Sequence, residues 1–198
     1  MFDQIVDSIA SFGWVQWLAF VFNVLYVILA ARENIWCWFF GFVGVSFLFV
    51  IYLDARLYSD ALLQVFYMGM SVYGWISWSK KTGEHLPIIR ASGRDHAYYI
   101  VAGITGTFIL GFIFTRFQAA LPYVDAFTSA YAVVTTFMVA RKILENWIYW
   151  ILIDSVCIIV YLDRNLPLIA VLFFIYTVLA INGWLAWNRK IAAQDLEV

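Results

Sequence analysis

GWISWSKK at residues 74–81 and GWLAWNRK at residues 183–190 are the same phrase, set 109 positions apart. The same shift carries Tyr52-Leu53-Asp54 onto Tyr161-Leu162-Asp163, Trp38 onto Trp147, and Ala31-Arg32 onto Ala140-Arg141. It also pairs Ser46 with Ser155, Leu57 with Leu166, Ala61 with Ala170, Leu63 with Leu172 and Tyr67 with Tyr176. No gap is needed between residues 29 and 81. Apolar segments match one another by chance, but Trp and Gly pairs held in one register across three segments do not. The chain is an internal duplication.

What is duplicated is membrane-spanning. The 198 residues are 65% hydrophobic, 20% aromatic and 13% charged, with a mean hydropathy of +0.85. Soluble domains are about 45–50% apolar and about 25% charged, so lipid must solvate most of this surface. A net charge of −1 gives no basis for a nucleic-acid partner. The opening MFDQIVDSIASFG (1–13) is acidic and lacks the basic start of a signal peptide, so the first span is expected to stay in the mature protein. Cys37 and Cys157 fall inside apolar stretches and read as packing thiols.

Crossing about 30 Å of hydrocarbon takes about 20 residues. Apolar runs near that length lie at 13–31, 35–53, 58–79, 98–116, 122–140, 144–162 and 165–187. The predicted fold is an all-α integral membrane domain over residues 1–198 with seven transmembrane helices. A first three-helix repeat (13–81) is joined by a linker helix (98–116) to a second (122–190). The linker makes equivalent spans enter the membrane in the same direction, so the repeats are parallel about an axis along the membrane normal. Arg56, Arg116 and Arg164 fall on one side of the membrane. The other side takes Arg32, Lys80, Lys81, Arg90, Arg94, Arg141, Lys142, Arg189 and Lys190. The positive-inside rule puts that basic face in the cytoplasm, with the N-terminus outside and the C-terminus inside.

A carboxylate in hydrocarbon costs about 2.5–3.5 kcal/mol on insertion scales and needs a reason. Asp154 lies near the middle of the sixth span, on one helical face with Trp147 and Trp150. Two indoles beside an acid suit a flat cationic ring. The alternative is that Asp154 hydrogen-bonds a neighbouring helix while the tryptophans pack. The first-repeat mates are Trp38, Gly41 and Val45, so the second repeat carries most of the polar contacts of an asymmetric ligand. Gln64, Tyr67 and Ser71 form a similar stripe on the third span, with mates Phe173, Tyr176 and Ala180. That stripe serves either a ligand or a helix–helix contact. Trp38, Tyr176, Asn182 and Asn23 are further candidates, and Asn146 with Glu145 opens the sixth span as a ligand contact or a helix cap.

Trp17, Trp78 and Trp187 read as interfacial anchors, and His85 and His96 as solvated loop residues. No HExxH, GxSxG, glycine-rich phosphate loop or metal-ligand spacing is present, so no enzyme activity, cofactor or metal is expected. A retinal protein would need a lysine in the last span, and residues 165–187 contain none.

LYSDALLQVFYMGMSVYGWISW (57–78), ARKILENWIYWILID (140–154) and INGWLAW (181–187) resemble the bacterial Pnu vitamin transporters, over about residues 13–190. ENW-x-x-W is the most specific element of the likeness. The resemblance implies a 3+1+3 architecture like that of the SWEET sugar transporters, with a central site. It implies facilitated diffusion of an unphosphorylated vitamin across a bacterial inner membrane, followed by trapping through a cytoplasmic kinase. By position, the implied ligand contacts are Asn146, Trp147, Trp150, residue 154 and Gln64. Nicotinamide riboside is the implied cargo. The chain departs from that branch in carrying Asp154 where Asn is common, and a thiamine-carrying branch is the alternative. Both vitamins are flat monocations that an acid between indoles does not separate. A membrane enzyme or structural subunit is the reading from another class. The implied partners are the vitamin, the lipid bilayer and, in a homo-oligomer, further copies of the chain.

Overall fold

The computed structural model describes residues 12–79, 86–116 and 121–194. Seven helices follow one another: α1 (Trp14–Ala31), α2 (Trp36–Asp54), α3 (Tyr58–Trp78), α4 (Gly93–Arg116), α5 (Pro122–Ala140), α6 (Asn146–Asp163) and α7 (Pro167–Gln194). Their limits follow the apolar runs, except that α4 starts at Gly93 rather than 98 and α7 continues to Gln194 rather than 187. Six helices are long and apolar enough to cross a membrane. The less apolar α3 is 21 residues long and carries Asp60, Gln64 and Ser71. It still runs the full length of α5. Asp60 near its start lies within electrostatic range of Asp125, and Trp78 at its end donates its indole N–H to the Ala140 carbonyl at 3.2 Å.

The duplication visible in the sequence is carried into backbone geometry. Glu33, Arg56, Lys142 and Asn165 have φ of 56°, 59°, 51° and 56°, and 33 pairs with 142 as 56 pairs with 165. Each closes a helix in the left-handed conformation. The following amide then reaches back five residues: Asn34 to Leu29, Leu57 to Tyr52, Ile143 to Met138 and Leu166 to Tyr161, at 2.8–3.0 Å. Those bonds satisfy carbonyls that a helix end would leave open. The left-handed conformation costs a non-glycine residue about 1–2 kcal/mol, so its recurrence at equivalent positions marks a shared turn design.

The Gly–Trp phrase has an equally physical meaning. A Cβ at Gly74 would collide with the Trp38 indole, and one at Gly183 would stand 2.6 Å from the Trp147 indole. Each glycine is therefore the space into which the preceding helix of its own repeat sets a tryptophan. The second tryptophan of each phrase packs on that ring, Trp78 on Trp38 and Trp187 on Trp147, edge-on at 5.4 Å in both repeats. Trp78 and Trp187 are thus core residues, not interfacial anchors: they are 5% and 0% exposed. Their indole N–H groups bond the carbonyls of Ala140 and Ala30, each at 3.2 Å, across to the other repeat. Trp17, by contrast, is 41% exposed.

The repeats meet reciprocally, α1 against α7 and α3 against α5. One face of the bundle gathers the α1–α2 turn, the α5–α6 turn, the segment before α4 and the end of α7. Contacts between Glu33 and Lys142, between Glu33 and Lys190, and between Arg90 and Asn188 show this. Ile89 completes that face, donating to Lys142 O at 3.0 Å and accepting from Leu144 N at 2.9 Å. The opposite face holds the Arg164–Asp125 ion pair. His96 is not merely solvated: its Nδ1 lies 3.0 Å from the Tyr149 hydroxyl, with the rings stacked. His85 lies outside the described residues.

Candidate functional site

The first turn of α6 is built from below. Glu145 is buried and accepts the Ala91 amide at 2.8 Å, so it joins the α4 approach to α6 instead of capping into water. Asn146 is fully buried; its Nδ2 donates to Ile143 O at 2.6 Å, while its Oδ1 has no partner among the described residues. Trp147 is 2% exposed, wedged between Gly183 and Trp187, and its indole N–H is also without a partner among the described residues. Trp38 repeats this arrangement in the first half, buried over Gly74 with an N–H that finds no acceptor among the described residues. Trp150, one turn on from Asn146 and Trp147, is only half-buried against the core. It is the indole on this face that keeps open surface.

Asp154 is 3% exposed, and among the described residues nothing donates a hydrogen bond or forms an ion pair to it. A carboxylate that braced two helices would show such a donor. Tyr176 on α7 and Cys157 one turn along α6 lie within its electrostatic range.

From α3, Gln64 is buried and spends one amide hydrogen on the Asp60 carbonyl, 3.3 Å away within its own helix. Ser71 is buried likewise and bonds the Tyr67 carbonyl at 2.9 Å. Tyr67 lies within electrostatic range of Tyr52, Tyr26 and Cys157, and Tyr176 lies within range of Tyr52. The fold therefore brings Asp154, Tyr67 and Tyr176 into one region with Tyr26 and Tyr52. Sequence reasoning missed both of the latter. Tyr52 carried a signal, since it repeats as Tyr161. Tyr26 carried none, because its mate is Thr135.

Two further candidates are placed differently. Asn182 is exposed and donates to Val178 O at 3.0 Å. Asn23 donates to Ala19 O at 2.8 Å and packs against Gly44. Each spends one amide hydrogen within its own helix; Asn182 faces outward, and Asn23 lies one turn before Tyr26.

The electrostatic character of the region is simple. No Lys or Arg occurs in the middle of any helix, and Asp154 is the one formal charge at that depth. Among the described residues no three His, Cys, Asp or Glu side chains converge on a metal-sized space. Stacking surface, hydroxyls, an amide and a lone acid can hold a polar aromatic cation; they include no nucleophile–base pair to transform it.

The chain is 24% identical to the nicotinamide riboside transporter PnuC of Escherichia coli (strain K12), over 88% of this chain and 85% of that protein. It is 22% identical to the riboflavin/roseoflavin transporter RibM of Streptomyces davaonensis, over 88% and 84%. The crystal structure of the vitamin B3 transporter PnuC superposes with a TM-score of 0.74 at 20% identity, covering 94% of this chain and 86% of that one. These relatives are transporters, not enzymes. With residues 13–189 matching the family described as nicotinamide mononucleotide transporter, the chain belongs to that family of multi-pass membrane proteins.

Proposed function

We propose that the protein imports nicotinamide riboside by facilitated diffusion through the interface of its two repeats. The observation that carries this reading is Asp154, a buried carboxylate with no hydrogen-bond donor or ion-pair partner among the described residues, set one turn beyond the half-open Trp150. The pyridinium ring of the riboside is flat and carries a fixed positive charge, so it offers Trp150 a π face and Asp154 a counter-ion. Gln64, Tyr67 and Tyr176 supply hydrogen bonds for the ribose hydroxyls. Asn146, Trp147 and Trp38 hold the surrounding shape.

The family description names the mononucleotide, and the similar PnuC proteins name the riboside. Charge favours the riboside here. A phosphate monoester would bring about two negative charges past Asp154, with no mid-helix Lys or Arg to receive them. The flux in this proposal is downhill. Net uptake then needs a reaction that removes free riboside inside, and phosphorylation by a cytoplasmic kinase would do so. The basic face belongs in the cytoplasm of a bacterial inner membrane by the positive-inside rule.

Thiamine shares the flat cationic ring and is the second reading; riboflavin, the cargo named for RibM, lacks the charge. Purified protein in liposomes should equilibrate labelled nicotinamide riboside without an ion gradient and exclude its 5′-phosphate. A thermal-shift series with riboside, mononucleotide, thiamine and riboflavin ranks the ligands independently of flux. Stabilisation by the mononucleotide equal to that by the riboside would refute the charge argument.

A further inference from the structure

Glu33 and Lys142 are repeat mates, and they touch each other at 2.8 Å. Trp78 and Trp187 are also repeat mates, and their ring centroids lie 6.2 Å apart. In an arrangement of two halves about a two-fold axis, a residue meets its own equivalent only where the axis passes. These two contacts therefore mark the axis, and both lie at the basic face. Lys142 Nζ stands 4.8 Å from the centre of the Trp78 ring, joining the ion pair to the indoles. Trp38 and Trp147 flank the central pair at 5.4 Å on either side. A second lysine, Lys190, holds the other Glu33 oxygen at 2.7 Å. Lys142 is 5% exposed and Trp187 fully buried, so water does not pass along the axis here.

We propose that Glu33, Lys142 and the Trp78–Trp187 pair form the basic-face gate of the transport path, which opens when the two repeats part at these contacts. The gate rests on the transport reading above. Substrate sites in two-repeat carriers lie at the repeat interface, and access alternates by movement of one repeat against the other. Glu33 belongs to the α1–α2 turn and Lys142 to the α5–α6 turn, so that movement separates them directly. A buried ion pair is poor glue compared with apolar packing. It is better suited to a contact that must break, because water solvates both charges once they part. The position also explains a divergence between the repeats. Identical charges would repel where a residue meets its own mate, and here one repeat carries Glu and the other Lys.

Cys157, buried on α6 just beyond Asp154, reports access to the interior. In a Cys37→Ser background in liposomes, a membrane-impermeant maleimide is applied from the basic face to the parent, Glu33→Gln and Lys142→Met proteins. The gate predicts modification of Cys157 at least several-fold faster in both variants, each still giving a single cooperative melt. Unchanged rates in both would overturn it. Should the variants fail to fold, a Glu33→Cys/Lys142→Cys protein lacking Cys37 and Cys157, joined by a short reducible cross-linker, decides instead. Riboside flux should stop on cross-linking and return on reduction, and undiminished flux through the cross-linked form overturns the gate. If maleimide access responds but no vitamin crosses, the gate stands and the cargo assignment falls.

Discussion

Trp147 and Trp150 sit three residues apart on one helix, and their neighbours give them separate duties. Gly183 and Trp187 enclose the ring of Trp147, so its truncation opens a core cavity. Trp150 is half-buried, and its truncation removes a surface offered to ligand. Trp150→Ala should lower riboside affinity by about 5- to 150-fold, or about 1–3 kcal/mol, with little change in melting temperature. Trp147→Ala should cost stability first, about 3–5 kcal/mol for a large buried ring. Trp150→Phe should fall between parent and Ala in affinity because a smaller π face remains. Asp154→Asn keeps shape and removes charge. It should weaken the cationic riboside while leaving folding intact or improved, since a buried carboxylate without a donor among the described residues is removed. Calorimetry and thermal melts on these variants check both halves of the argument. Unchanged affinity in both Trp150→Ala and Asp154→Asn would move the site off α6.

Three glycines on two helices separate packing from propensity. Gly183 on α7 and Gly74 on α3 face the Trp147 and Trp38 rings, whereas a Cβ at Gly69 on α3 meets nothing within 4 Å. Gly74→Ala and Gly183→Ala should each destabilise by about 1–3 kcal/mol through overpacking. Gly69→Ala should instead be neutral or gain up to about 1 kcal/mol from helix propensity. Melting temperatures in one detergent order the three variants, and a stable Gly183→Ala protein would contradict the packing account. The same elements show what sequence exposes and what it hides. Helices α1 to α7 are legible because hydrocarbon thickness fixes span length, and the two Gly–Trp phrases announce the repeat. The fate of Trp78 is not legible. A tryptophan near a span end satisfies the lipid interface or the core equally well, and only the partner ring, Trp38 across Gly74, decides. Asp154 is legible because a lone acid is costly in lipid. Tyr26 is not, because an amphipathic phenol in a run of apolar residues carries no such cost, and its mate is Thr135.

At the scale of the whole molecule, alternation of faces constrains topology. The α1–α2 turn, the α5–α6 turn and the end of α7 share one face through Glu33, Lys142 and Lys190, and the Asp125–Arg164 pair occupies the other. A reporter fused after Val198 should therefore be active only in its cytoplasmic form; periplasmic activity would reverse the orientation drawn from the Lys and Arg distribution. The junction on the axis adds a pH dependence whose direction follows from its partners. Burial raises the Glu33 carboxyl, but the bonds and charges of Lys142 and Lys190 outweigh it and hold the group below its ordinary value. A carboxyl lowered on folding contributes stability that is fully present above its unfolded value, about 4.3. That contribution is lost as pH falls through the folded value, because the unfolded chain then binds the proton first. The parent protein should therefore exceed Glu33→Gln in melting temperature at pH 7, keep that margin down to about pH 5, and lose it on further acidification. Removing Lys142 as well should abolish most of the margin, since Lys190 is half-exposed and its attraction is screened by water. A margin that grew on acidification would mean that the lysines do not hold Glu33 ionised, and the contact on the axis would then have to be sustained by the indoles alone.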